Sequence, residues 1–306
     1  MKKMKAPKSA IKESFGDRVL NFITALLLFV AIIIVGYPVL YVVSCSFSSS
    51  MALEAGRVFL WPVDFTLNAY KFVLQYKSVW IGFRNSVFYT CFGVVLEMTI
   101  TLLVAYPLSR RDFQGKKTYT MLFYMTTRIS AGLIPGFLLR CSLGLYNSIW
   151  AILISGTVSV SNIFIMRTAI SSNIPGELFD AAMIDGANHF QCLVKLAIPL
   201  TKATISVLVL YVVVAHWNEY FNAMIYLQDK NLYPLQLVLR PIMTAASAMN
   251  QIDVSNMSTA SQMQADKGLE NVRYALIIIS TVPVLAAYAV VQKYFKGGVM
   301  MGSVKG

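Results

Sequence analysis

Apolar residues along this chain come in long blocks, not in alternation. Six blocks stand out, at about 19–43, 86–108, 118–139, 147–170, 204–227 and 274–294. Each is close to or above the ~20 residues an α-helix needs to cross ~30 Å of hydrocarbon. The pattern predicts an all-α, polytopic membrane protein with six transmembrane helices, since helices and closed barrels alone satisfy every backbone group in lipid. The stretch Phe22–Val35 is almost pure Leu, Ile, Val, Phe and Ala, apolar all round, as a lipid-facing helix is. The third and fourth blocks are interrupted by Thr126, Thr127, Arg128 and Ser130, and by Ser155, Thr157, Ser159, Ser161 and Asn162. Those polar positions are expected to face the bundle interior.

One segment between blocks has a different rhythm. Ile174-Pro175-Gly176-Glu177-Leu178-Phe179-Asp180-Ala181-Ala182-Met183-Ile184-Asp185-Gly186-Ala187 reads as a short amphipathic helix, a glycine turn and a second helical stretch ending near Pro199-Leu200. Pro175 presets φ near a helix start, and Glu177 and Asp180 put negative charge at the positive end of the helix dipole. Leu178, Ala181, Ala182 and Ile184 form a narrow face whose small residues permit close approach of another surface. Gly186 permits a sharp turn, and Pro199 suits the first turn of the fifth span. Two readings stand for this segment: a docking surface, or an amphipathic connector lying on the membrane.

Composition narrows the class. The 306 residues are 57% apolar and 13% charged, against roughly 25% charged in soluble domains, and the mean hydropathy is +0.62. The net charge of +12 reads as basic residues on cytoplasmic loops and excludes nucleic-acid binding, because no basic face interleaved with aromatics exists. Lys2, Lys3, Lys5, Lys8, Lys12 and Arg18 precede the first span. Arg110, Arg111, Lys116 and Lys117 follow the second, and Arg167, Lys195 and Lys202 flank the amphipathic segment. Lys293, Lys296 and Lys305 end the chain. With six spans all of these fall on one side, which places both termini in the cytoplasm. The organisation expected is a cytoplasmic segment 1–18, a transmembrane domain 19–294 with a cytoplasmic loop 171–203, and a tail 295–306.

The longer external loops, about 44–85 and 228–273, carry Trp61-Pro62 and Trp80, suited to the membrane interface, and a polar excursion from Ser247 to Lys267. The first block is too long for a signal peptide's apolar region. Cys45, Cys91, Cys141 and Cys192 are scattered without metal-ligand spacing, and two histidines, His189 and His216, are too few for a metal site. No Gly-x-x-x-x-Gly-Lys-Ser/Thr occurs, so ATP hydrolysis is not this chain's own. Neither paired catalytic carboxylates nor a nucleophile–base set marks it as an enzyme.

Asp180-Ala181-Ala182, Asp185-Gly186-Ala187 and Ile198-Pro199 resemble the "EAA" signature of permease subunits of ABC importers, with Asp where Glu is usual and Ile where Leu is usual. Ala105-Tyr106-Pro107-Leu108-Ser109-Arg110, Gly132-Leu133-Ile134-Pro135 and Leu143-Gly144-Leu145 resemble the same family. His216-Trp217-Asn218, Phe221-Asn222-Ala223, Tyr233–Arg240 and Gly298–Gly306 resemble its carbohydrate branch, in particular permeases for oligosaccharides and polysaccharides of the aldouronate, alginate or pectin-fragment type. The resemblance implies the type I importer permease (MetI-like) fold in a bacterial cytoplasmic (inner) membrane. It also implies that Glu177, Asp180, Ala181, Ala182, Asp185, Gly186, Ala187 and Pro199 form the coupling segment that docks on an ATPase. The implied partners are a second homologous permease, two ABC ATPase subunits and an extracytoplasmic solute-binding protein. The cargo is carbohydrate. No cofactor is bound by this chain, and ATP and Mg belong to the partner ATPase.

Sugar hydroxyls lose water on entering a path and need hydrogen-bonding replacements. Asn218, Glu219 and Asn222 fall on one helical stripe of the fifth span and are candidate path residues, alongside Trp217, Tyr124 and Arg128. Glu97 and Arg128 are charges inside the second and third spans. They either pair with each other or serve the path, Arg128 then attracting an anionic sugar such as a uronate. A secondary transporter or channel for a small polar solute is the competing class; it calls for ion relays or inverted repeats, and no repeated halves are visible.

Overall fold

The computed structural model describes residues 14–129, 131–249 and 270–295. The lysines up to Lys12, Ser130, residues 250–267 of the polar excursion, Lys296, Lys305 and the Gly298–Gly306 run lie outside the described residues. Every described element is helical. In order they are α1 (Phe15–Ser46), α2 (Ser50–Glu54), α3 (Asn68–Gln75), α4 (Lys77–Ser109), α5 (Lys116–Arg128), α6 (Leu133–Ser142), α7 (Ile149–Leu153) and α8 (Val160–Asn173). There follow α9 (Gly176–Ile184), α10 (His189–Cys192), a π-helical turn Leu193–Ala197, α11 (Ile198–Leu200), α12 (Lys202–Trp217), α13 (Phe221–Tyr226), α14 (Leu235–Met249) and α15 (Glu270–Phe295).

Among the described residues three helices are long and apolar enough to cross a membrane, and up to five spans pass the same test if each of two bent pairs counts as one. The hydropathy blocks predict six. The difference lies chiefly in the fourth block, which is not one helix. Ser155 and Thr157 hydroxyls donate back to the carbonyls of Ala151 and Leu153, both at 2.7 Å, and Gly156 takes φ +83°. This chemistry ends α7, and Ser159 caps the fresh start of α8 by accepting from the N–H of Asn162. The fifth block is also broken. Its helix stops at Trp217 and restarts at Phe221, where the Glu219 carboxylate accepts from the N–H of Asn222 at 2.9 Å. A carboxylate at the positive end of α13 favours starting a new helix over continuing the old one.

The chain divides into two compact units, residues 1–69 with 257–275, and residues 70–256 with 276–306. In the first, α1 leaves most of its apolar side chains exposed, as a lipid-facing helix does, while its last turn is buried. There Ser48 Oγ donates to Ser44 O at 2.7 Å and accepts from Val63 N, and Asn271 Nδ2 donates to Ser48 O at 3.1 Å. These bonds tie the following loop over Cys45, Ala52 and Val58.

In the second unit α4 is the spine. Its inner side packs Met98, Ala105 and Leu108 against Ile163, Met166 and Ile170 of α8 and Leu208 and Val212 of α12. Toward the other end Asn85 Nδ2 donates to Asn231 O and Tyr233 O, and Ser86 Oγ accepts from Leu235 N at 2.8 Å. Those bonds seat α14 beside Gly82, where a Cβ would lie 3.1 Å from Leu235 Cα.

Candidate functional site

Two regions of the second unit gather the candidate functional residues. The first is the amphipathic segment. Its helix α9 ends in a Schellman turn: Ala187 N donates to Ala182 O at 2.9 Å and Gly186 N to Met183 O at 3.1 Å, with Gly186 at φ +86°. Asn188 then caps α10, exchanging hydrogen bonds with Gln191. The face that α9 turns inward consists of Phe179, Ala182 and Met183, packed on the core with Ala187. Leu178, Ala181 and Ile184 face out, Ile184 with 86% of its surface exposed. Glu177, Asp180, Asp185 and Gly186 are exposed as well. Ala182, expected on the outward face, therefore belongs to the inward one, and the outward small residue is Ala181. Pro199, expected in the first turn of the fifth span, sits instead in the exposed α11, ahead of an 84° bend between His189–Leu200 and Lys202–Trp217. Proline has no N–H for the carbonyl of Lys195, and Thr201 Oγ1 donates to Ala197 O at 2.6 Å, so the ladder loosens where the chain turns.

Arg110, only 8% exposed, clamps this helix to the end of α4. Its Nε donates to Asp112 at 3.0 Å, its Nη2 reaches Asp180 at 3.4 Å, and its guanidinium lies 4.6 Å from the centre of the Phe179 ring. Burial pushes the Asp112 carboxyl up, but the hydrogen bond and charge of Arg110 outweigh it, aided by a backbone N–H and His189, and hold it below the ordinary carboxylate range. The Ala105–Arg110 run resembles the permease family, but this role for Arg110 is a tertiary fact and has no local signature.

The second region is a cavity of about 310 Å³ lined by Glu97, Ser155, Gly156, Ser159, Asn162, Tyr211, Val212, Ala215, His216 and Glu219. The break between α7 and α8 and the break after α12 both open on it. Glu97 on α4, 4% exposed, accepts from Asn162 Nδ2 at 2.9 Å. Its other oxygen lies 3.4 Å from His216 Nε2, an ion-pair distance without the alignment of a hydrogen bond. Gly93, one turn before Glu97, makes room for the imidazole: a Cβ there would stand 2.7 Å from His216 Nε2. The pairing of Glu97 with Arg128 is thus corrected. Glu97 is engaged by Asn162 and His216, while Arg128 is exposed and donates to the Tyr124 hydroxyl at 2.7 and 3.1 Å, its guanidinium 5.2 Å from that ring's centre.

The expected stripe of the fifth span also changes, because the helix ends before it is complete. Glu219 reaches the cavity, and its carboxylate also holds Asn222 through the backbone N–H and through Nδ2 at 3.0 Å. Asn218 is exposed, its Oδ1 accepting from Gln236 Nε2 at 3.4 Å. Trp217 is buried, donating to Ser280 O at 2.8 Å and meeting Phe83 edge-on, so it packs and does not line the cavity. Gly93, Asn162 and His216 were missed as a set. The spacing of Gly93 and Glu97 puts both on one face of α4, and Ser159-x-x-Asn162 is a capping pattern, but nothing local says that His216 fills the gap.

No family model matches the chain. Over 269 residues it is 34% identical to the polygalacturonan/rhamnogalacturonan transport system permease protein YtcP of Bacillus subtilis (strain 168), covering 88% of this chain and 92% of that one. Protein LplC of the same organism is 32% identical over 269 residues, covering 88% and 89%. A chain from the crystal structure of a bacterial ABC transporter involved in the import of the acidic polysaccharide alginate matches with a TM-score of 0.80 at 35% identity, covering 92% of this chain and 99% of that one.

Proposed function

The chain belongs to the permease subunits of ABC importers of sugars and polysaccharides, and from that premise we propose that it carries an acidic polysaccharide or its fragments along a path walled in part by the Glu97 cavity. As such a permease it is a transport subunit and not an enzyme, and it works with a solute-binding protein and an ATPase. The secondary transporter or channel reading falls away with that membership.

The observation that carries the path is the meeting of two helix breaks on one polar cavity. Irregular backbone at membrane depth is tolerated only where it is buried in protein or lines a water-filled space, and broken helices recur at transport sites for this reason. Glu97, Asn162, His216 and Glu219 offer acceptors and donors to sugar hydroxyls that have shed water. Two carboxylates in the cavity suit hydroxyls and repel a uronate carboxylate, so the acid groups of the cargo must be met elsewhere.

The coupling segment completes the reading. Leu178, Ala181 and Ile184, rimmed by Glu177 and Asp185, form an exposed apolar knob, which fits a groove on the ATPase. Arg110 holds the inward face of the same helix, so movement of the ATPase reaches α4. The assembly has a second homologous permease and two ATPase subunits that hold ATP and Mg; with α7 and α8 together making the sixth crossing, both termini of this chain lie on the ATPase side of the membrane.

Uptake assays on cells carrying the whole importer test the reading. Asn162→Ala and Glu219→Gln should each raise the KM for oligogalacturonate or alginate fragments by about tenfold, the cost of a lost hydrogen bond to a charged or buried group. An unchanged KM in both variants removes the cavity from the path. Deleting the chain should abolish growth on such fragments, and normal growth counts against acidic cargo.

A further inference from the structure

The face of α5 has a periodicity that the Glu97 cavity does not use. Lys116, Thr120, Tyr124 and Arg128 recur at every fourth residue, each beside the one before, in a stripe that winds about 120° round the helix. They run over about 18 Å of its length at 1.5 Å per residue. No residue of α5 is buried within the chain. Beside the stripe lies a groove of about 670 Å³ lined by Lys116, Lys117, Thr120 and Tyr124 of α5 and by Phe164 and Arg167 of α8, with Met121. Among the described residues, no carboxylate comes within ion-pair distance of Lys116, Lys117, Arg128 or Arg167. The hydroxyl of Thr120, on the groove wall, is buried and has no hydrogen-bond partner among them.

Lys116, Lys117 and Arg167 gather at one end of the groove, with Lys116 Nζ already donating to Arg110 O at 3.0 Å, and three like charges so close are best stabilised by an anion or by water; Arg128 stands about 18 Å away at the other end of the stripe. Lys116, Lys117 and Arg167 reach cytoplasmic water, but Arg128 lies inside the third apolar block, and an arginine there faces protein or a water-filled space and not hydrocarbon. The far end is held in place as well. Arg128 is fixed by hydrogen bonds from Nε and Nη2 to the Tyr124 hydroxyl and by its ring, which leaves the outer Nη1/Nη2 edge of the guanidinium for a carboxylate. Tyr124, 44% exposed, offers a ring face and a hydroxyl beside it.

We propose that this stripe is a carboxylate track for the uronic acid residues of the cargo, with Arg128 at one end and the Lys116, Lys117 and Arg167 cluster at the other. It rests on the acidic-cargo reading above and divides the labour within it: the Glu97 cavity meets hydroxyls, and α5 meets acid groups. The stripe then determines which sugars pass, and a neutral oligosaccharide gains nothing from it.

The test is trigalacturonate uptake by the complete importer, with its binding protein, in phosphatidylcholine vesicles at low and high salt. Arg128→Gln and Lys117→Gln should each raise KM about tenfold at low salt, as when one hydrogen bond to a charged group is lost. Arg128→Lys keeps the charge and loses the planar edge, so it should recover part of that loss. The difference from wild type should shrink at high salt, where screening has already weakened the wild-type contact. An unchanged KM overturns the proposal, and so does a rise in KM that is equal at both salts and not recovered by lysine, which marks a structural role. An effect that appears only when phosphatidylglycerol is added assigns the groove to a lipid headgroup and overturns it too. If the wild type imports no trigalacturonate, the acidic-cargo reading falls first and this proposal with it; wild-type import with insensitive variants refutes the track alone.

Discussion

In the segment from Gly176 to Thr201 the charges face out and are shallowly paired. Asp180 meets Arg110 at 3.4 Å with two-thirds of its own side chain exposed, and Ile184 stands 86% exposed beside it. Around Glu97 the arrangement is reversed. The carboxylate is 4% exposed, its partners come from two other helices, and the backbone, not the side chains, is irregular. The Asp180 side of that pair is open to water and largely screened, so the outer segment owes its shape chiefly to caps and turns and keeps its surface free for a partner. A buried carboxylate holds three helices in register and is costly to disturb. One region is built to be touched, the other to be filled.

The contrast yields a graded series, read first as thermal unfolding of the purified complex. Glu97→Ala strands His216 and Asn162 and should cost about 3–5 kcal/mol, the range for breaking a buried pair; a loss below about 1 kcal/mol would show the cavity to be already wet and the contrast false. Gly93→Ala drives a methyl into the His216 ring and should cost about 1–3 kcal/mol by overpacking. Full stability there would mean that the imidazole swings away freely, visible as a changed His216 resonance. Gly186→Ala places a side chain at φ +86° and should cost about 1–2 kcal/mol, with Gly186→Asn recovering part of it. Ile184→Glu should change stability by no more than about 0.5 kcal/mol, as exposed substitutions do, yet the permease should no longer co-purify with the ATPase. Retained co-purification would move the docking surface off α9.

The outer segment was legible because its signals are local. Pro175, Glu177 and Gly186 each act within four residues, and the helix, turn and second helix appear where they point. Its facing was read less well: Ala181 and Ala182 are chemically alike, and only packing against Phe179's neighbours decides which turns inward. The inner region was legible only as composition. Apolar blocks located α4 and α12, but hydropathy averages over windows longer than the six-residue interruption 154–159, so the break in the fourth block was invisible to it. The stripe through Asn218, Glu219 and Asn222 assumed a continuous helix, and a single carboxylate capping α13 undid that assumption. Glu97 and Arg128 attracted pairing because both are charges in apolar runs; the true partner was a histidine whose position depends on a missing Cβ more than 100 residues away.

The bend at Thr201 has a mechanical meaning. The arm from His189 to Leu200 measures about 18 Å and α12, with 16 residues, about 24 Å, and the two meet at 84°. Two arms fixed at a right angle form a bell crank. A thrust that tips the short arm swings the long one sideways, and its tip travels about a third farther than the point of application. His216 and the start of the loop bearing Glu219 sit at that tip. A stiff corner would therefore turn a small displacement at the surface into a larger lateral one at the wall of the conduit, and a loose corner would absorb it.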